Sequence, residues 1–222
     1  MERFVYSSLL LAALGIGYFV YDAIYDAHNF SYRTKLTLTI STPEGPITAS
    51  GVKQIDASKS FINFAETGGN YWTRKSEALV VDLGQGRYVF APPKNWPNLA
   101  EEMSAQGIIS SNSELAHQSA IQAQVEPISV PIERMRWMVT FADVSDPGSI
   151  IGVNSEDLAA TFGRGYALTD VTIQATDDPL TIGQVERVLG WLPGRKNWLS
   201  YTTPEGKIRD LGVSDLLFSI RK

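Results

Sequence analysis

The sequence predicts an α+β fold, a mainly antiparallel sheet with about three short helices, preceded by one transmembrane helix at the amino terminus. Three observations carry this expectation. Residues 4–21 contain no charged side chain; "YRTKLTLTIS" alternates strictly between apolar and polar residues; and segments of this kind are joined in pairs by turns bearing proline or glycine. The expected division is 1–30 as anchor and juxtamembrane segment and 31–222 as one extracytoplasmic domain, long enough for a sizeable core.

As a helix, the uncharged run would be about 27 Å long, close to the hydrocarbon thickness of a bilayer. A cleaved signal peptide would have a shorter apolar stretch. Gly15 and Gly17 are small enough for a cleavage site, but cutting there leaves the awkward new end "YFVYDAIY". Tyr18, Phe19, Tyr21, Tyr25 and Phe30 suit a headgroup layer, and Asp22 and Asp26 begin the aqueous side. An uncleaved anchor is therefore preferred to a cleaved signal or a buried helix. Arg3 and the amino terminus bias that end inward, which in a bacterium places the large domain in the periplasm. Ser8 with Ala12, and Ala13 with Gly17, are small residues four apart that would let a second helix approach closely, although lipid-facing filler has the same look.

In "YRTKLTLTIS", Leu36, Leu38 and Ile40 share one face, with threonines and Ser41 on the other. "TPEG" at 42–45 is a turn, and "ITASGVKQIDA" returns as the partner strand. Residues 66–76, "ETGGNYWTRKS", read as a loop. "EALVVDL", "GQG" and "RYVFA" make a second hairpin. After Pro92, Pro93 and Pro97 a short helix is expected in "NLAEEMSAQG", capped by Asn98 or Asn95 and stopped at Gly107. A second is expected from about Ser113 to Gln124, and a third in "SEDLAATFG" from Ser155 to Gly163. "RWMVTF" and "YALTDVTIQAT" are strands. "TIGQVERVLGWL" is amphipathic, with Val185, Val188, Leu189 and Leu192 on one face. The TPEG turn recurs at 203–206 between two further strands, as reused turn chemistry rather than duplication.

The net charge of −5 provides no chain-wide basic footprint, so nucleic acid is not an expected partner. The absence of cysteine excludes disulfides, thiolate metal sites, a cysteine nucleophile and a lipid-modified cysteine. The chain has two histidines, His28 and His117, too few for a zinc site and without a nucleophile motif for a hydrolytic triad. Asp22, Asp26 and His28 at a membrane surface read as solvated rather than metal-binding. No metal or cofactor is expected. The acid pairs Asp143 with Asp146, Glu156 with Asp157 and Asp177 with Asp178 fall at turns or helix starts, where carboxylates cap free N–H groups. In "GWLPGRKNWLSY", Trp191, Trp198 and Tyr201 interleave with Arg195 and Lys196. This is the candidate binding set, for a sugar, a base or a lipid surface, beside the plainer reading of tryptophans anchoring a corner.

The segments "RTKLTLTISTPEG", "EALVVDLGQGRYVFA" and "MVTFADVSDPGSIIGVNSEDLAATFGRGYALTDVTIQATDDPLTIGQVERVLGWL" resemble a family of bacterial proteins with an amino-terminal membrane or export segment and no assigned activity. The resemblance covers roughly half the domain by length. It implies an envelope location and carries over no catalytic residue. The expected function is thus a single-pass, membrane-anchored binding, accessory or assembly protein of the bacterial envelope, in the inner membrane, whose partners are the bilayer and other envelope membrane proteins. The alternative is a hydrolase acting on envelope glycan or lipid through two carboxylates brought together by the fold.

Overall fold

The computed structural model describes Gly17 and residues 29–59, 70–112, 116–135, 137–194, 199–203, 206–212, 216 and 219–221. The predicted anchor lies, Gly17 apart, outside these residues. Among the described residues no helix is long and apolar enough to cross a membrane. The architecture is α+β, with mostly antiparallel sheets and few helices.

Alternation in the first strand, β1 (Asn29–Ser41), produces the face it predicts: Tyr32, Thr34, Leu36, Leu38 and Ile40 are buried, and Arg33, Lys35, Thr37 and Thr39 between them are half-exposed. At the TPEG turn the backbone N–H groups of Thr42 and Gly45 each donate to the other's carbonyl, at 3.1 and 3.0 Å. Gly45 has φ +124°, a conformation side chains disfavour. β2 (Ile47–Lys59) returns antiparallel in continuous register from Ile40↔Ile47 to Asn29↔Ser58.

The segment expected as a loop holds a strand instead. β3 (Asn70–Ser76) pairs with β2 on one side and with the last strand, β12 (Ser219–Arg221), on the other. Its glycines and charges suggested a loop, but neighbouring strands supply the hydrogen bonds that decide the matter. Residues 66–69 of that segment lie outside the described part.

The second predicted hairpin is β4 (Leu79–Asp82) and β5 (Tyr88–Ala91), with Gly84, Gln85 and Gly86 all at positive φ in the turn. β6 (Ile128–Ser129), β7 (Trp137–Phe141), β8 (Ile150–Asn154), β9 (Ala167–Ala175), β10 (Leu199–Thr202) and β11 (Ile208–Leu211) complete the set. The first sheet runs β12-β3-β2-β1-β9-β6, antiparallel throughout. The second runs β11-β10-β8-β7-β5-β4, with one parallel contact, between β10 and β8. The TPEG recurrence links β10 to β11, as expected.

The helices are short. α1 (Leu99–Ala105) is capped by Asn98, whose side chain accepts from the Glu101 N–H, and the chain turns at Gly107 with φ +72°. α2 (Gln118–Ala123) is half the expected length, with His117 at its cap position rather than inside it. α3 (Ala159–Phe162) starts later than Ser155: the Asn154 side chain accepts from the Glu156 N–H in a turn, and Asp157 then accepts from the N–H of Ala160 in the helix's first turn. It ends at Gly163, as predicted. α4 (Gln184–Val188) presents Val185 to the interior, and Leu189 and Leu192 beyond its end are also buried.

Two cores result. In the first, Leu36, Leu38 and Ile40 of one sheet meet Leu79, Val81, Met138 and Val153 of the other, with Leu99, Met103 and Ile121 joining from α1 and α2. In the second, Phe90, Val139, Phe141 and Ile150, on the opposite face of the second sheet, lie under Val185, Leu189 and Leu192. Among the described residues the second sheet is thus packed on both faces and the first on one.

Candidate functional site

Of the aromatic and basic candidates near the carboxy terminus, Trp191 and Tyr201 are described, and both belong to the second core. The Trp191 indole N–H donates to the Val144 carbonyl at 2.6 Å, and its ring packs edge-on against Phe141 with centroids 5.7 Å apart. Tyr201 is 3% exposed, with its ring 5.2 Å from that of Trp137. Arg195, Lys196 and Trp198 lie outside the described residues. So do Ser8, Ala12 and Ala13; Gly17, the described member of the helix-contact set, is exposed.

Of the paired acids, Asp143, Asp146 and Asp157 accept from backbone N–H groups near them. Asp143 accepts from the N–H and hydroxyl of Ser145 at 2.8 and 2.7 Å, and these bonds hold its carboxyl below the usual carboxylate range. Asp146 accepts from the Gly148 N–H at 2.8 Å. Asp178 is held 2.8 Å from the Lys35 ammonium, the main cause of its lowered pKa. Arg33 donates to the carbonyls of Asp177 and Asp178 at 2.9 and 2.8 Å. The "DDP" turn is thereby strapped across the outer face of β1. The strap continues to Thr181, which exchanges hydrogen bonds with the backbone of Val52.

Two buried carboxylates escaped the sequence reading. Glu77, 2% exposed between β3 and β4, accepts from the N–H groups of Gly183 and Gln184 at 2.6 and 3.0 Å and so caps α4 from across the fold. Burial raises its pKa against the pull of those two bonds. Glu102, on α1, is also buried and also raised by burial, with the Arg134 guanidinium 3.3 Å away working against the rise. No local signal marks Glu77, since its partners lie 106 and 107 residues on.

Beside Glu102, a shallow polar depression is lined by Glu101, Ser104, Ala105, Ser111, Asn112 and Arg134. Near it the His117 Nε2 stands 3.4 and 3.3 Å from the hydroxyls of Ser110 and Ser111. Those separations lie at the long end of hydrogen-bond distances. Among the described residues no group of three or more histidines and acids could hold a metal ion.

What this arrangement does chemically is fix the fold: the carboxylates of Asp143, Asp146, Asp157, Asp178, Glu77 and Glu102 each hold a turn, a helix start or a neighbouring base. No family model, curated protein or solved structure matches the chain.

Proposed function

We propose that this protein is a single-pass, membrane-anchored binding or accessory component of the bacterial envelope, inserted in the inner membrane with its large domain in the periplasm. The observation that carries the reading is the uncharged run of residues 4–21, which leads through a short aromatic and acidic segment into the first strand at Asn29. The use of the carboxylates supports binding over hydrolysis. Asp143, Asp146, Asp157, Asp178 and Glu77 are each engaged in holding the fold, whereas a glycosidase keeps two carboxyls facing one cleft.

The test is extraction of the full-length protein from its native membrane in mild detergent, compared with a version lacking residues 1–30. The expected result is a particle of defined composition that contains other membrane proteins and is lost with the anchor. A lone protein in both forms would sink the accessory role. Release of the full-length protein by an alkaline carbonate wash would sink the anchor.

A further inference from the structure

Among the described residues the second sheet ends in β11, which pairs with β10 alone. The turn that leads into β11 sets its backbone phase. The Thr203 N–H donates to the Lys207 carbonyl at 2.8 Å, and in an antiparallel ladder hydrogen-bonded pairs recur at every second residue. Arg209 and Leu211 therefore direct their backbone groups at Tyr201 and Leu199, while the N–H and C=O of Ile208 and Asp210 point away from β10. An edge of this kind is a template for a further strand.

The side chains along this edge divide between two faces. Register sets Ile151, Thr202 and Ile208 in one row across β8, β10 and β11. All three are exposed, Ile208 to 78% and Ile151 to 40%. Asp210 shares the face of Ile208, and its carboxylate accepts from the Ser200 hydroxyl of its own hairpin at 2.7 Å. On the other face Lys207 and Arg209 are both exposed, about 7 Å apart along the strand. Neither base has an ion pair among the described residues.

A second copy of the chain does not suit this edge. Two copies of one strand pair antiparallel about an axis normal to the sheet, which keeps each face on its own side, so only residues of the same face can stand opposite one another. Centred on Arg209, the pairing sets that base against itself; centred on Asp210, it opposes two aspartates; centred on Ile208, it puts Lys207 opposite Arg209. Like charges directly opposed repel. The same two bases attract a strand that carries carboxylates.

We infer that β11 is the docking edge for an extended peptide segment of a partner protein, in which acidic residues alternate with apolar ones. Added antiparallel to β11, such a strand exchanges hydrogen bonds with Ile208 and Asp210 through its apolar positions, and sets its acids opposite Lys207 and Arg209 on the other face. The row of Ile151, Thr202 and Ile208 then gains a fourth, apolar member. The inference deepens the binding role proposed above and rests on that reading for supposing a protein partner; it does not depend on the anchor.

The full-length protein in mild detergent is titrated against a fluorescein-labelled peptide of alternating glutamate and valine, with binding read by anisotropy and by hydrogen exchange. The expected result is saturable binding that slows exchange of the Ile208 and Asp210 amides and weakens several-fold in about 0.5 M salt. Ile208→Pro removes an outward N–H and no hydrogen bond of the hairpin, a change edge strands tolerate, and should abolish binding. If that variant fails to fold, as judged by circular dichroism, Lys207→Glu with Arg209→Glu decides. It should lose the glutamate peptide and take up the counterpart of alternating lysine and valine. Absence of saturable binding, or binding of the glutamate peptide that survives the charge reversal, overturns the inference. So does equal binding of a peptide N-methylated at its valines, which cannot pair as a strand. Co-extraction of other membrane proteins without peptide binding would leave the binding role standing and sink the edge. A lone protein that still takes the peptide through Arg209 would uphold the edge and sink the accessory role.

Discussion

The two sheets have the same number of strands in the topology and solve different burial problems. In the first sheet β1 is covered on one face, and its sequence alternates accordingly, with Leu36, Leu38 and Ile40 inside and Arg33, Lys35, Thr37 and Thr39 outside. In the second sheet Met138 and Val153 point to the first core, while Phe90, Val139 and Ile150 point to the other. A strand covered on both faces loses its alternation, which is why β7 reads as the apolar run "WMVTF". Among the described residues the double-sided sheet serves as the structural middle layer.

The largest test of this contrast is removal of bulk from the middle layer. Phe90→Ala, at a residue fully buried against Phe141 with rings 5.6 Å apart, should cost about 3–5 kcal/mol by chemical denaturation. Leu36→Ala in the first core should cost about 2–5 kcal/mol. Both variants should unfold in a single transition with the rest of the protein. Separate transitions would show that the α4 layer is not part of the same cooperative unit.

A smaller effect is expected where backbones approach closely. At Gly152 an added Cβ would stand 3.0 Å from the Thr202 carbonyl oxygen and 3.1 Å from the Thr203 Cα. Gly152→Ala should cost about 1–3 kcal/mol and raise amide exchange in β10, whose parallel contact with β8 is the single pair Thr202↔Ile151. If exchange in β10 is unchanged, that contact does not hold the strand.

Glu77→Ala should cost about 1–3 kcal/mol by stranding the N–H groups of Gly183 and Gln184. Faster exchange of the α4 amides, with those of the first sheet unaltered, would locate the loss at the seam between the middle layer and its outer cover.

The smallest effects are in the pH dependence. Glu77 and Glu102 have raised pKa values in the folded protein, so the folded state binds their protons more tightly, and their contribution to stability grows as pH falls through the raised values toward 4.5. Asp56 behaves in the opposite sense. Burial pushes its carboxyl up, but the bonds from Ser31, Gln54 and Lys75 outweigh that and lower it below 3.8. Its contribution is full above 3.8 and is lost as pH falls through the depressed value. Glu102→Gln should therefore flatten the gain on mild acidification, and Asp56→Asn the loss at stronger acid, each read from denaturation midpoints across pH. Asp56→Asn is expected to change stability at neutral pH by less than about 1 kcal/mol, because the Lys75 pair is partly solvated.

Local pattern by itself determined a good part of this protein. The alternation of β1, the two TPEG turns, the glycine-bearing turn after Leu83, the Asn98 cap and the apolar face of Val185, Leu189 and Leu192 were all legible, because each depends on neighbours within a few residues. The turn acids were legible for the same reason, Asp143 and Asp146 each serving an N–H two residues on. The uncharged run of residues 4–21 is likewise written in the sequence. Only the tertiary structure decided the rest. β3 is a strand because β2 and β12 lie on either side of it. Glu77 is a cap because α4 arrives more than a hundred residues later. Trp191 and Tyr201 became core residues when the second sheet acquired its outer cover. A backbone hydrogen bond or an electrostatic field depends on distance in space, and sequence separation conveys that distance only within a turn or a hairpin.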